Sequence, residues 1–143
     1  NRMKLFKMLI MSLLVLSSLP ASAASNSDIK AINKVVKQYF EGVRKGDEAL
    51  LKRAFYNQNM NMKALLTIDG KEQLLSLADA EAFADLAKRP DASYTGKVLS
   101  INVYQPNAAF VLFDFNDMFI DGFQLLKQAG KWKILNKTFV EKK

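Results

Sequence analysis

The sequence contains no cysteine and no histidine among its 143 residues. Without cysteine the chain can form no disulfide framework and can carry no lipid on a cysteine thiol. Catalysis through an imidazole or a thiolate is excluded for the same reason, and a zinc site would have to use carboxylates alone. We therefore expect no metal site and no cofactor, and the side chains left for chemistry are carboxylates and tyrosines.

Glycine is also scarce, with six residues, and none of them forms a phosphate-cradling loop or a nucleophile elbow. Long apolar runs are limited to Met8–Leu16. This run is shorter than the ~20 residues that a membrane span requires. The sequence therefore predicts no transmembrane segment.

The N-terminal residues have the pattern of a secretory signal peptide. Lys4 and Lys7 precede the apolar run, and the small residues Ala21–Ala24 follow it. We assign residues 1–24 to the signal peptide, with cleavage after Ala23 or Ala24, and expect a periplasmic or secreted protein. Residues 25–143 then form a single domain, long enough to bury a core.

The positive charge of the chain is modest once the signal peptide is removed. The 21 Lys and Arg residues fall to 18 without Arg2, Lys4 and Lys7, and against 14 Asp and Glu the net charge falls from +7 to +4. The densest basic run, residues 127–137, places its lysines on one solvated face of a predicted strand, namely Lys131, Lys133 and Lys137. We expect no nucleic-acid partner.

Helical periodicity predicts three helices before the C-terminal half of the chain. They run from Asp28 to Arg44, from Asp47 to about Phe55, and from Asp79 to Lys88. Gly46 provides the left-handed cap that ends the first helix, and Pro90 stops the third. The short link after Gly46 makes the first two helices fold over a common surface.

Strands follow the helices. Lys63–Ile68 and Lys71–Leu77 flank an Asp-Gly turn and predict a hairpin, and Val98–Tyr104 predicts a further strand. Ala108–Val140 then predicts three antiparallel strands, with turns at Asn116-Asp117 and at Gly130. Apolar residues occur on both alternating faces of this block, which predicts a sheet that is buried at least in part on both faces. Helices early and strands late predict an α+β fold with helices on one face of a curved antiparallel sheet.

This layout resembles the cone-shaped NTF2-like superfamily, with three helices from the N-terminal half packed on the concave face of the sheet. Ile120–Phe139, IDGFQLLKQAGKWKILNKTF, is similar to the closing motif of the putative lumazine-binding family within that superfamily. Gly46-Asp47, followed by a leucine-bearing helix, resembles the superfamily's junction between its first two helices. The resemblance covers nearly all of the predicted domain and implies a concave cavity, and the family's name implies a pterin-like ligand.

Two groups of side chains are candidates for that cavity. Aromatic and methionine residues suit an adaptable apolar wall, although the alternative for them is ordinary core packing. Strand alternation leaves open whether Asp114 or Asp121 points to the interior, as a general base or a neutral donor, or lies on the solvated side. The candidate ligand-binding residues are Tyr39, Phe55, Tyr56, Met62, Phe83, Asp114, Asp121 and Phe123.

Tyr39 precedes Asp47 by eight residues, a spacing similar to that of the oxyanion-binding tyrosine in the steroid isomerases of this superfamily. Those enzymes place a carboxylate base in the strand after the second helix, where this sequence has Asn61, Met62 and Lys63. The related polyketide cyclases use an aspartate. The related dehydratases use a histidine together with an aspartate, and this sequence has no histidine. A core tyrosine with a satisfied hydroxyl is the alternative for Tyr39.

We therefore predict a non-catalytic module that binds a small apolar or aromatic ligand in the cone. One alternative is an isomerase or cyclase that uses an Asp base with Tyr39. The other is a dimeric protein-interaction module. We also predict a homodimer through the outer face of the sheet, because exposed apolar residues on that face favour a partner.

Overall fold

The structure is a computed structural model that describes residues 24–56, 62–77 and 79–143. Almost all of the predicted signal peptide, residues 1–23, lies outside the described residues, as do residues 57–61 and residue 78. None of the described helices combines the length and the apolar character that a membrane crossing requires.

Three helices form where periodicity predicts them: α1 (Asn26–Lys45), α2 (Glu48–Ala54) and α3 (Asp79–Ala87). Ser25 caps α1 by accepting a hydrogen bond from the backbone N–H of Asp28, and Gly46 ends it at a φ of 66°. Asp47 then caps α2 by accepting from the backbone N–H of Leu50, 2.9 Å away. The predicted junction between the two helices is confirmed.

Six strands form one sheet. They are β1 (Met62–Ile68), β2 (Lys71–Leu77), β3 (Gly96–Gln105), β4 (Ala108–Phe115), β5 (Phe119–Gln128) and β6 (Lys131–Glu141). Their order across the sheet is β2-β1-β6-β5-β4-β3, with β3 to β6 as an antiparallel meander and β1–β2 as an antiparallel hairpin. The pairing between β1 and β6 is parallel, which corrects the expectation of a wholly antiparallel sheet. Pairing between elements so distant in the chain leaves no local signal.

The tight turns use backbone conformations that only a few residue types adopt readily. Both members of each pair Asp69-Gly70, Asn116-Asp117 and Ala129-Gly130 have positive φ. Two successive residues of this kind match the twist of the strands that they join. The turn positions predicted from Asp-Gly, Asn-Asp and Gly130 are therefore confirmed.

The core lies between the helices and the concave face of the sheet. From α1 it takes Ile32, Val36, Tyr39 and Val43, and the inward residues of β4 to β6 face them. On the outer face Phe110 and Leu112 remain 51% and 46% exposed. The outer face of β4 is therefore buried only in part, whereas the inward residues Val111 and Phe113 are 1% and 3% exposed. The predicted α+β cone is confirmed.

Candidate functional site

A cavity of about 150 Å³ lies where α1 and α3 meet the concave face of the sheet. Its rim includes Asp85 and Arg89, both exposed, so the cavity reaches the surface beside α3. Most of the remaining wall is aromatic or aliphatic. The lining residues are Tyr39, Val43, Asp85, Leu86, Arg89, Tyr94, Phe115, Phe119, Lys137 and Phe139.

A buried cluster of three polar side chains lies at the inner end of this cavity. The Tyr39 hydroxyl donates a hydrogen bond to Oδ2 of Asp121 at 3.0 Å. Lys137 Nζ lies 3.1 Å from the other oxygen of the same carboxylate, Oδ1. All three residues are at most 2% exposed. Both oxygens of Asp121 therefore have partners inside the protein, and Asp121 itself is not part of the cavity wall.

Lys137 reaches the interior because β6 contains a β-bulge. Leu125 pairs with Ile134, whereas its neighbour Gln124 pairs with Asn136, so Leu135 is an extra residue in β6. The extra residue reverses the alternation of the strand, and Lys137 points inward like Ile134. The expectation that Lys137 shares a solvated face with Lys131 and Lys133 is therefore wrong.

Burial changes the acidity of two members of the cluster. Desolvation, reinforced by the negative charge of Asp121, raises the pKa of the Tyr39 hydroxyl well above its usual range. Desolvation lowers the pKa of the Lys137 ammonium, and the carboxylate of Asp121 opposes that effect. Tyr39 is therefore a hydrogen-bond donor at neutral pH, and the Asp121 carboxylate is what favours the charged form of Lys137.

Of the predicted site residues, Tyr39 and Asp121 come together, and four others surround them. The rings of Phe55 and Phe123 pack on Tyr39 with edge-to-face geometry, their centroids 6.2 and 4.8 Å from its own. Phe83 packs on Phe55 in turn, at 5.2 Å. Met62 is buried in β1 opposite Lys137, its register partner in β6. These four residues belong to the core behind the cavity rather than to the cavity wall.

The other two predicted site residues lie elsewhere. Asp114 is on the outer face of β4, because it stands between the inward residues Phe113 and Phe115, and it forms an ion pair of 2.6 Å with Lys142. Tyr56 follows α2 and donates its backbone N–H to Ile134, away from the cavity. Neither residue is part of the cavity wall, so the structure does not bring Asp114 and Tyr56 together with Tyr39 and Asp121.

Sequence reasoning missed most of the wall. Phe119 and Phe139 pack edge to face at 5.5 Å, and Tyr94 and Phe115 do so at 5.1 Å. Lys137 is the largest omission, because it is the one cation of the inner cluster. These positions are revealed by the pairing between strands. The sequence of a single strand does not contain that information.

Among the described residues no three acidic, histidine or cysteine side chains form a cluster of the kind that holds a metal ion. The buried carboxylate of Asp121 is paired instead with Lys137 and Tyr39.

A family model described as putative lumazine-binding matches residues 27–140. The chain belongs to this family. The match spans all six strands apart from the last residue of β6, and nearly all of α1. It confirms the resemblance inferred from Ile120–Phe139. No curated protein matches the sequence at a significant level.

Solved structures with the same fold are similar to this one at low sequence identity. An NTF2-like protein of unknown function from Silicibacter pomeroyi is 21% identical, with a TM-score of 0.72, covering 84% of this chain and 100% of its own. One from Shewanella baltica is 24% identical, with a TM-score of 0.70 and coverages of 85% and 98%. A ketosteroid isomerase-like protein from Erwinia carotovora atroseptica is 11% identical, with a TM-score of 0.65 and coverages of 83% and 99%. These similarities establish the NTF2-like fold.

Proposed function

We propose that this protein is a non-catalytic binding module that holds a small apolar or aromatic molecule in the mouth of its cone. The observation that carries the proposal is the cavity, whose wall consists mainly of aromatic and aliphatic side chains. Lys137 lies at its inner end. Ligand pockets in proteins have this composition, with few polar groups that fix the orientation of the ligand.

The size of the cavity limits the ligand. At about 150 Å³ it is smaller than the roughly 300–1,000 Å³ of pockets for drug-sized molecules. Apolar cavities of about 150 Å³ hold benzene. The family description names lumazine, which is a fused two-ring compound, and this volume favours a single ring with a short substituent.

Native mass spectrometry of the protein purified from its own source tests the proposal. We expect a co-purifying small molecule, and we expect Leu86→Trp to remove it, because Leu86 lies in the cavity wall. The matched control is Leu99→Trp, which adds the same ring at a site that is 46% exposed. The proposal fails if no small molecule is carried, or if the Leu86 variant retains it as well as the control does.

The enzyme alternative has one observation in its favour, the convergence of Tyr39 and Asp121. Against it, Asp121 already has a partner on each oxygen and does not line the cavity, so a bound ligand would not meet a free carboxylate. Incubation of acetophenone with the protein in D₂O distinguishes an enzyme from a binding module. A catalytic base beside the ketone would exchange its methyl protons for deuterium, whereas the binding module leaves the exchange at the rate of buffer alone.

Export also remains a proposal, supported by the N-terminal pattern of Lys4, Lys7 and the small residues Ala21–Ala24. Mass spectrometry of the native protein should give a chain that begins at Ala24 or Ser25. A native product that retains residues 3–24 would contradict it.

A further inference from the structure

Lys137 brings hydrogen-bond donors to an otherwise apolar cavity. An ammonium group has more N–H donors than one carboxylate oxygen accepts. Among the side chains that the structure describes, those of residues 24–56, 62–77 and 82–143, Asp121 is the one carboxylate within ion-pair distance of Nζ. The same Nζ lies 3.9 Å from the centre of the Phe139 ring, and Lys137 forms part of the cavity wall. A ligand that carries an acceptor can therefore use a donor of Lys137 that Asp121 does not occupy.

The charges around the cavity cancel. At the inner end the positive Lys137 is paired with the negative Asp121, and burial keeps the Tyr39 hydroxyl protonated. At the rim Arg89 and Asp85 have opposite charges. An ionised ligand would lose its hydration without meeting an excess of opposite charge, and that loss is costly in an apolar site. An uncharged acceptor avoids this cost and still receives a charge-assisted hydrogen bond.

The walls favour a flat ligand. Phe119 and Phe139 pack edge to face on one another, as do Tyr94 and Phe115, so the cavity presents both ring faces and ring edges. An aromatic guest interacts favourably with either. The volume of about 150 Å³ leaves room for one ring and a short substituent.

We propose that the cavity selects a small, flat, uncharged aromatic molecule with one hydrogen-bond acceptor, a ketone or an amide carbonyl, and that Lys137 donates to that acceptor. This inference rests on the proposed function, since it names the ligand class of the same site. It assigns to Lys137 the role of the residue that determines specificity.

Three probes of the same size and number of heavy atoms test the ligand class. Acetophenone carries a neutral carbonyl, α-methylstyrene replaces its oxygen by a methylene group, and benzoate carries a carboxylate. Affinities are measured by titration calorimetry or by NMR on the full domain. We expect acetophenone to bind at least about tenfold more tightly than α-methylstyrene, as a hydrogen bond from a charged donor implies. Benzoate should bind less tightly than acetophenone, because its charge is not compensated.

A variant then connects the preference to Lys137. Lys137→Met alone leaves Asp121 buried without its cation, so the double variant Lys137→Met/Asp121→Asn is used, which keeps an acceptor for Tyr39. Circular dichroism checks that it is folded. In this variant we expect acetophenone and α-methylstyrene to bind with affinities within about twofold of each other, because the donor is gone.

The outcomes separate this inference from the proposed function. Equal binding of acetophenone and α-methylstyrene to the wild-type protein overturns the role of Lys137 and leaves the binding module in place. Tighter binding of benzoate overturns the neutral ligand class. A preference for acetophenone that persists in the double variant assigns the donor to another residue and also overturns the inference. Binding of none of the three probes contradicts both proposals.

Discussion

Lys137 and Asp121 form the one ion pair, within the part of the chain that the structure describes, in which both side chains are buried. Removing one partner of such a pair leaves an uncompensated charge, which typically costs about 3–5 kcal/mol, whereas replacing both partners is often close to neutral. We therefore expect Lys137→Met to lower the free energy of unfolding by about this amount, measured by urea denaturation.

The double variant Lys137→Met/Asp121→Asn provides the comparison. It should recover most of the stability that the single variant loses, since the amide that replaces the carboxylate carries no charge and still accepts a hydrogen bond from Tyr39. A single variant within about 0.5 kcal/mol of the wild type would contradict the burial of this pair.

Asp28 is held at the start of α1 by the indole N–H of Trp132 at 2.8 Å, by Lys127 at 2.9 Å and by Ser25 at 2.8 Å. These hydrogen bonds, that of Trp132 first, lower the pKa of Asp28 from 3.8 to about 2. Since the folded value lies below the unfolded one, the stabilisation is complete above the unfolded pKa of about 3.9 and is lost as the pH falls through about 2.

The sequence has a single tryptophan, so the indole N–H gives one NMR signal with which to follow this titration. We expect that signal to shift with a midpoint near pH 2, and we expect the stability difference between wild type and Asp28→Asn to narrow as the pH falls from 4 to 2. A midpoint near 4 would contradict the contact between Trp132 and Asp28.

At the scale of elements, the sequence predicted the helices and turns because their signals are local. Periodicity and caps define α1 and α2, and Asp69-Gly70 defines the first hairpin. The parallel pairing of β1 with β6 and the bulge at Leu135 are not local, since both depend on which strand lies alongside. For that reason Tyr39 and Asp121 could be proposed from the sequence, whereas Lys137 was assigned to the wrong face.

Gly42 provides a test of how α1 and α2 pack. A Cβ at this position would lie 2.7 Å from Cγ of Leu51 and 3.0 Å from its backbone nitrogen. In a helix interior, alanine is more stable than glycine by about 1 kcal/mol. Placing extra atoms in a space that is already filled costs about 1–3 kcal/mol. We expect Gly42→Ala to be destabilising in urea unfolding, because part of the crowded neighbour is backbone.

The matched background is Leu51→Ala, which removes the crowding side-chain atoms. In the Leu51→Ala background, Gly42→Ala should lower the free energy of unfolding less than it does in the wild type, or raise it. The double-mutant cycle of the two substitutions should show a coupling energy of about 1 kcal/mol. An unchanged effect of Gly42→Ala in the two backgrounds would contradict a conflict with the side chain of Leu51.

At the scale of the whole molecule, the outer face of the sheet exposes an apolar group made of Tyr104, Phe110 and Leu112. The Tyr104 and Phe110 rings stack at 5.3 Å. We still predict that a second copy covers this face, since exposed apolar patches favour partners and a two-fold interface uses the same patch on both copies.

Sedimentation equilibrium checks this prediction with two variants of equal exposure. Phe110 on the sheet face and Met118 in the turn after β4 are each 51% exposed. Phe110→Lys should give monomers, because each copy would place a lysine charge in the same interface. Met118→Lys should remain a dimer. A wild-type monomer, or two variants that behave alike, would contradict the prediction.

The proposed ligand is a small aromatic molecule that the cone holds against Lys137. A crystal structure of the protein grown with acetophenone shows whether such a molecule binds there. We predict the ring of the probe between the aromatic walls formed by Phe119, Phe139 and Tyr94, with its carbonyl oxygen about 3 Å from Lys137 Nζ. A cavity filled by the protein's own side chains, or a probe bound elsewhere while the cavity stays without it, would contradict the proposal.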